Sequence, residues 1–175
     1  MPKYLIAVLL SFTAVAFAQK SSEYRLLATT RTSTMEKEIN QMARDGYRLV
    51  GTMGGDTHEG EIIVTMRKLA KGDDEDRFQY KLLATERTGT MERELQEAAN
   101  QGYEYAGQMA RDEVMVIMER DKTMENKSRS QYRLLATSRT GTMEKELNQA
   151  ATDGFEFMGL LKRGEVMAIM RRRAQ

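Results

Sequence analysis

One string of fourteen residues occurs three times in this chain, and it restricts the fold more than any other feature. Its third copy reads LLATSRTGTMEKEL over residues 134–147, and closely similar copies begin at Leu82 and Leu26. Recurrence of this kind is typical of proteins built from tandem structural repeats. The sequence therefore predicts three copies of one small unit.

The similarity extends beyond this string on both sides. The second and third copies align without a gap at an offset of 52 residues, whereas the first copy has four extra residues near 54–57. Insertions are tolerated most readily in surface turns, so a turn is expected there. The predicted repeats are residues 24–68, 80–120 and 132–172, joined by polar, exposed linkers at residues 69–79 and 121–131.

Each unit is predicted to begin with a short strand and to continue into a helix. In the third copy, Thr142 is the expected helix N-cap because its hydroxyl can accept a free backbone N–H. Glu144 and Glu146 would then lie in the first turn, where the helix dipole favours negative charge. Apolar residues recur at helical spacing until a glycine that suits a left-handed C-cap. These glycines are Gly46, Gly102 and Gly154.

The two remaining strands differ in pattern, and the difference predicts their order in the sheet. Residues 103–109 alternate between large apolar and mostly polar residues, whereas residues 114–118 are apolar throughout. A strand covered on both faces is central, so the third strand should lie between the first and second and pair antiparallel with both. The predicted fold class is α+β: three tandem β-α-β-β repeats, each a small, mainly antiparallel sheet with one helix on one face.

A single unit of this size needs help to fold. Its 41 residues lie near the limit below which a fold usually depends on disulfides, metals or association, and the chain has no cysteine. Met115 and Ile117 must point to the sheet face opposite Val114 and Val116, so both faces are apolar. We infer that the units pack on one another or on copies in another chain.

Residues 1–18 have the three parts of a secretory signal peptide. Lys3 precedes an apolar run that ends in a small-x-small pattern, which favours cleavage after Ala18. The run is shorter than the roughly 20 residues of a transmembrane helix. An uncleaved membrane anchor and a buried N-terminal helix are the alternatives. The prediction is a secreted or periplasmic protein without membrane attachment after cleavage.

The repeated Arg-Thr-x-Thr segment before each helix is the candidate binding site. Free backbone N–H groups, hydroxyls and an arginine converge there, as an anion would require. The alternative is structural, with the threonines capping the helix and the arginine paired with a first-turn glutamate. The candidate ligand-binding residues are Arg31, Thr32, Arg87, Thr88, Arg139 and Thr140.

Other chemistry has little support in the sequence. Methionine, at 14 of 175 residues, can bind Cu(I), but it recurs at packing positions and is better interpreted as core filler. His58 lies beside Asp56 and Glu59 in the longer turn, where a solvated loop is the preferred interpretation. No nucleophile elbow, phosphate-binding loop or zinc motif occurs. We therefore predict no metal site, no cofactor and no enzymatic activity.

The succession of a Tyr-Lys/Arg-Leu-Leu strand, a Met-Glu-x-Glu-Leu helix, Gly-Tyr/Phe-Glu-Tyr/Phe and an apolar strand running into arginines resembles the small bacterial domain of unknown function numbered 4177. The resemblance covers nearly all of each unit and implies a tandem triplication of that domain behind a signal peptide. The family commonly has tryptophan after the glycine, whereas this chain has Tyr47, Tyr103 and Phe155. It implies the β-α-β-β fold and supplies no activity.

Dodecins, which store flavin, share this order of elements, but their flavin stacks on a tryptophan. This chain has no tryptophan, so flavin binding is not expected. With 27 basic and 26 acidic residues, the charge balance also gives no reason to expect nucleic acid as a partner.

Two functional hypotheses remain. The first is a non-enzymatic protein that acts in protein interaction or assembly, including self-association. The second is a binder of a small ligand or anion, through the Arg-Thr-x-Thr loops or a pocket between repeats.

Overall fold

The chain forms three repeats of one strand-helix-strand-strand unit. A computed structural model describes residues 22–54, 60–70, 76–124 and 130–173. The predicted leader and cleavage site, and the turn holding His58, lie outside these residues.

The three repeats contain the same elements in the same order. Repeat 1 comprises β1 (Tyr24–Thr29), α1 (Thr32–Arg44), β2 (Tyr47–Met53) and β3 (Ile62–Lys68). Repeat 2 comprises β4 (Phe78–Thr85), α2 (Thr88–Asn100), β5 (Glu104–Ala110) and β6 (Val114–Asp121). Repeat 3 comprises β7 (Gln131–Thr137), α3 (Thr140–Thr152), β8 (Glu156–Arg163) and β9 (Glu165–Arg172).

Each repeat folds its strands into one antiparallel sheet with the last strand in the centre. The orders are β1-β3-β2, β4-β6-β5 and β7-β9-β8, and every pairing is antiparallel. The second strand of each sheet has a register shift ahead of a glycine, which is Gly51, Gly107 or Gly159. The predicted fold class and strand order are confirmed.

The C-terminal ends of the helices agree with the prediction, whereas the N-terminal end of α3 differs from it. Gly46, Gly102 and Gly154 have φ values of 79°, 83° and 84°, the left-handed conformation expected after a helix C-cap. At the other end, Arg139 is the N-cap of α3 and Thr140 begins the helix, so the prediction of Thr142 as N-cap is wrong.

The first turn of α3 also lacks the predicted acidic residues, because the helix starts earlier. The Thr137 hydroxyl accepts the backbone N–H of Arg139 at 3.2 Å and holds the strand-to-helix junction extended. Thr29 and Thr85 make the same bond in the other repeats. The hydroxyl at the end of the strand, and not the one inside the helical segment, therefore sets the helix start.

The central strand of repeat 2 is covered on both faces, as its apolar sequence predicts. Met115 and Ile117 pack into a core shared with repeat 1, whereas Val116 and Met118 pack into a core shared with repeat 3. All four side chains have no exposed surface. The helix-stripe methionines Met35, Met91 and Met143 and the strand methionines Met66, Met118 and Met170 are also buried, as expected of core filler.

The repeats thus form a stack in which neighbours share their cores. In each junction, the helix and sheet of one repeat face the outer sheet surface of the next. Among the described residues, no helix is long and apolar enough to span a membrane.

Candidate interaction surfaces

The Arg-Thr-x-Thr segments lie at three separate helix starts. Arg31, Arg87 and Arg139 are the N-cap residues and are exposed, and no side chain caps any of the three helices. Thr32, Thr88 and Thr140 are the first helical residues. The three segments do not converge on one site.

In α1 and α2, the first glutamate of the helix bonds to the next repeat. The Glu36 carboxylate accepts the backbone N–H of Leu82 at 2.8 Å, on the edge strand of repeat 2. One helical turn later, Asn40 donates to the Tyr80 carbonyl and accepts the Tyr80 N–H, both at 2.9 Å. Edge strands expose backbone groups that need hydrogen-bond partners. Side chains of α1 are those partners for β4.

The second junction repeats this arrangement. Glu92 accepts the backbone N–H of Leu134 at 2.8 Å. Gln96 accepts the N–H of Tyr132 and donates to the Ser130 carbonyl, both at 3.2 Å. Helices α1 and α2 therefore cover the free edge of the following sheet, and the backbone N–H groups they bind are at equivalent positions.

A tyrosine in the first strand of the second and third sheets connects each of them to the preceding sheet. The Tyr80 hydroxyl accepts the Leu49 N–H at 3.1 Å, beside the register shift of β2, and donates to Glu119 at 2.7 Å. The Tyr132 hydroxyl accepts the Tyr105 N–H at 2.8 Å in the same way. Burial raises the pKa of both phenols, and the neighbouring carboxylates Glu119 and Glu104 raise it further. Both tyrosines therefore stay neutral and keep their donor and acceptor roles.

A salt bridge crosses each junction, and its polarity reverses from the first junction to the second. In the first, Arg48 of repeat 1 binds Glu119 of repeat 2 at 2.7 Å. In the second, Glu104 of repeat 2 occupies the position of Arg48 and binds Arg171 of repeat 3 at 3.2 Å. In repeat 3, the residue equivalent to Arg48 and Glu104 is Glu156. In repeat 1, the residue equivalent to Glu119 and Arg171 is Arg67.

The second strands also touch directly across the junctions. The Thr52 hydroxyl donates to the Gln108 carbonyl at 2.7 Å, and the Gln108 amide donates to the Leu160 carbonyl at 2.6 Å. A Cβ at Gly107 would lie 2.7 Å from a Thr52 methyl carbon, and one at Gly159 would lie 2.4 Å from the Gln108 amide oxygen. A larger residue at either position would have to displace the neighbouring side chain, which fills the space over the glycine.

Arginines at the hairpin ends complete both junctions. Arg111 donates to the carbonyls of Thr30 and Gly60, and Arg163 donates to those of Glu86 and Asp112. These are equivalent pairs in the aligned repeats. Every class of contact in the first junction thus recurs in the second.

The stack has two open ends, which we call the leading face and the trailing face. The leading face is the outer surface of the repeat 1 sheet, opposite α1. Its residues are equivalent to those of repeats 2 and 3 that pack in the shared cores. They are Tyr24, Leu26, Ala28, Val50, Met53, Ile63 and Thr65.

Equivalent residues differ sharply in exposure. Tyr24 is 55% exposed, whereas Tyr80 and Tyr132 are 2% and 6% exposed. Leu26 is 66% exposed. Within the described residues, no side chain bonds the backbone N–H of Tyr24 or Leu26. With respect to the residues that the structure describes, the leading face is therefore a junction surface without a neighbour.

The trailing face is the helix side of repeat 3, which corresponds to the surface that receives the next repeat in the two junctions. It contains an open groove of about 340 Å³. Phe157 and Leu160 are 56% and 52% exposed on this side. In the part of the chain that the structure describes, neither the Glu144 carboxylate nor the Asn148 amide has a partner. The groove is lined by Thr140, Met143, Glu144, Leu147, Asn148, Leu160 and Val166.

Sequence reasoning missed the residues that make the junctions. It placed the glutamates in the first helical turn, where the helix dipole favours negative charge, but Glu36 and Glu92 bind the next repeat. Two signals were available: Asn or Gln recurs one turn after each glutamate, and the charge at the position of Arg48 reverses between repeats. Neither signal identifies its partner without the stacking direction.

The described residues contain no cluster of three or more histidine and carboxylate side chains that could hold a metal ion. No protein-family model, curated protein sequence or solved structure matches the chain.

Proposed function

We propose that this chain is an exported, non-enzymatic protein that acts in protein interaction or assembly through the two ends of its repeat stack. The observation that carries the proposal is the pair of open junction surfaces. Each has the apolar side chains and backbone-binding groups that two internal junctions use, yet it faces solvent. Exposed apolar patches of this kind are typical of interaction sites.

The apolar groups of the two ends support protein as the ligand. Leu26 and Tyr24 lie on an edge strand, where no side chain of the described residues bonds their backbone N–H groups, and such an edge pairs readily with another chain. The groove beside α3 combines apolar lining with the Glu144 carboxylate and the Asn148 amide, which suit backbone groups. The absence of catalytic sequence motifs agrees with a binding role.

Native mass spectrometry of protein purified gently from its own host tests this proposal. We expect a chain that begins at Gln19, present as integer multiples or with a bound protein. The variants Leu26→Lys and Leu160→Lys should remove those species, because each places a charge on one open face. A matched control is Lys145→Glu, which changes an exposed residue on α3.

A small molecule bound with unchanged mass distribution in both face variants would contradict the proposal. It would favour the second candidate, binding of an anion at the helix starts, where N–H groups lack side-chain caps. Reversing the charge of Arg87 and Arg139 would then abolish binding while leaving the circular dichroism spectrum unchanged.

A further inference from the structure

We propose that the trailing face of repeat 3 binds the leading face of a second copy of this chain, head to tail. This inference rests on the proposed function and names the partner of its two surfaces. The internal junctions are its template, because each joins the same two kinds of surface within one molecule.

The hydrogen-bonding groups of the two open faces match. Glu144 occupies the position of Glu36 and Glu92, and Asn148 that of Asn40 and Gln96. In the junctions these side chains bind the backbone at two positions of the next repeat's edge strand. In repeat 1 those positions are Tyr24 and Leu26. A second copy in the same register gives all four groups their partners.

The charges of the two open faces also match. The trailing face carries Glu156, which is exposed and paired on one side with Arg171 of its own sheet at 3.1 Å, and the leading face carries Arg67, also exposed. A glutamate facing an arginine reproduces the second junction, where Glu104 binds Arg171. By contrast, Glu156 would meet a like charge if repeat 2 presented Glu119 to it. Charge therefore selects repeat 1 as the incoming surface.

The apolar groups complete the match. Leu160 occupies the position of Thr52 and Gln108, whose side chains fill the space over a glycine of the next repeat. Gly51 is the glycine of repeat 1, and only Thr65 of its own sheet lies within 4 Å of a Cβ built there. The Leu160 side chain of one copy can therefore pack over Gly51 of another. The Tyr24 hydroxyl would then reach the backbone N–H of Phe157.

Two internal contacts have no counterpart between copies. Repeats 2 and 3 use Arg111 and Arg163 to bind carbonyls of the preceding repeat, but repeat 1 has no arginine between Arg48 and Arg67. Leu160 also lacks the donor that Thr52 and Gln108 supply. The contact between copies is consequently weaker than the internal junctions, and it is reversible.

Sedimentation velocity over a range of protein concentrations tests the proposal. Glu156→Arg and Arg67→Glu should each weaken association about tenfold or more, because like charges then meet across the contact. The double variant should associate again, and so should a mixture of the two single variants. Glu97→Lys, an exposed change on α2 away from both ends, should behave as the unchanged protein.

Cross-linking defines the orientation, since the chain has no native cysteine. Arg67→Cys and Glu156→Cys proteins should cross-link efficiently with a short bis-maleimide only when they are mixed. Cross-linking of Arg67→Cys protein alone would show a symmetric contact between two leading faces and would overturn the head-to-tail arrangement.

The outcomes separate this inference from the proposed function. A monomer at all concentrations, together with a host protein whose binding is lost in Leu160→Lys, overturns self-association and retains protein interaction. A monomer with no protein bound to either face contradicts both. Loss of association in Glu97→Lys as well would mean that the contact lies elsewhere.

Discussion

At the scale of single residues, one tyrosine hydroxyl serves as both donor and acceptor in each junction. Tyr80 satisfies the backbone N–H of Leu49, which lies on the edge strand β2 beside its register shift. A buried N–H without an acceptor destabilises the fold more than a lost surface bond does. The tyrosine is therefore a structural requirement of the stack, and repeat 1 carries the same residue without that role.

Tyr80→Phe should lower the free energy of unfolding by about 1–3 kcal/mol, because it leaves the Leu49 N–H and the Glu119 carboxylate without their partner. Tyr24→Phe, the same change on the leading face, should shift it by less than about 0.5 kcal/mol in dilute protein. Urea denaturation of both variants measures the difference. Equal effects would contradict the role assigned to the hydroxyl.

A second residue, Asp121, makes the free energy of unfolding depend on pH in the acidic range. Hydrogen bonds from Arg77, at 2.9 and 2.6 Å, lower the pKa of Asp121 from 3.8 to about 2. A lowered pKa in the folded state stabilises the protein at neutral pH, and this stabilisation is lost as the pH falls from about 4 to about 2.

Asp121→Asn should therefore reduce stability by about 2 kcal/mol at pH 7, and the difference should shrink below pH 4. Thermal denaturation across this pH range measures it. Asp112→Asn is the control, since its side chain is 87% exposed and its ion pair with Arg111 contributes little. A difference that persists unchanged at pH 2 would show that the Arg77 contact is not the cause.

At the scale of elements, a helix that is followed by another repeat has two roles. Its apolar stripe packs on its own sheet, and two polar side chains on its flank complete the edge of the next sheet. Without these side chains, backbone groups of β4 and β7 would lie in a buried junction without hydrogen-bond partners, which is unfavourable. The helix is therefore the connecting element of the stack.

Asn40→Ala removes both side-chain bonds to the Tyr80 backbone and should cost about 1–2 kcal/mol of stability. Faster hydrogen exchange at the Tyr80 amide should accompany it. Asn148→Ala is the matched control at the trailing face, where no bond exists to lose, and should leave monomer stability unchanged. A similar loss in both variants would mean that helix propensity, and not edge bonding, explains the effect.

The features predicted from the sequence are those that depend on local patterns. The apolar run of residues 114–118 identified the central strand, and Gly46 and its equivalents marked the helix ends. The helix start was misplaced because Thr137 and Thr142 have the same chemistry, and only the backbone geometry distinguishes them. The roles of Glu36 and Asn40 depend on the neighbouring repeat, so no pattern within one repeat could reveal them.

At the scale of the whole molecule, stability is shared between neighbours. The sheet of repeat 2 contributes Met115 to one core and Met118 to the other, so it cannot be disturbed without affecting both junctions. Stacked repeats of this kind are stabilised largely by interfaces between neighbours.

Met115→Ala should destabilise the protein by about 2–5 kcal/mol, because the side chain is fully buried. Hydrogen exchange should become faster in repeat 1 as well as in repeat 2. Ile63→Ala, the equivalent change on the leading face, should cost less than about 1.5 kcal/mol because that side chain is only half-buried. Faster exchange confined to repeat 2 in the Met115 variant would indicate independent units.

The alternating salt bridges also have a genetic consequence. Tandem coding repeats recombine unequally, and such events lose or gain whole units. Loss of repeat 2 would join repeat 1 directly to repeat 3 and bring Arg48 against Arg171, whereas duplication of repeat 2 would bring Glu104 against Glu119. Like charges in a junction are unfavourable, so both products would be less stable than the parent. The order of charges thus disfavours the loss or duplication of the middle repeat during inheritance.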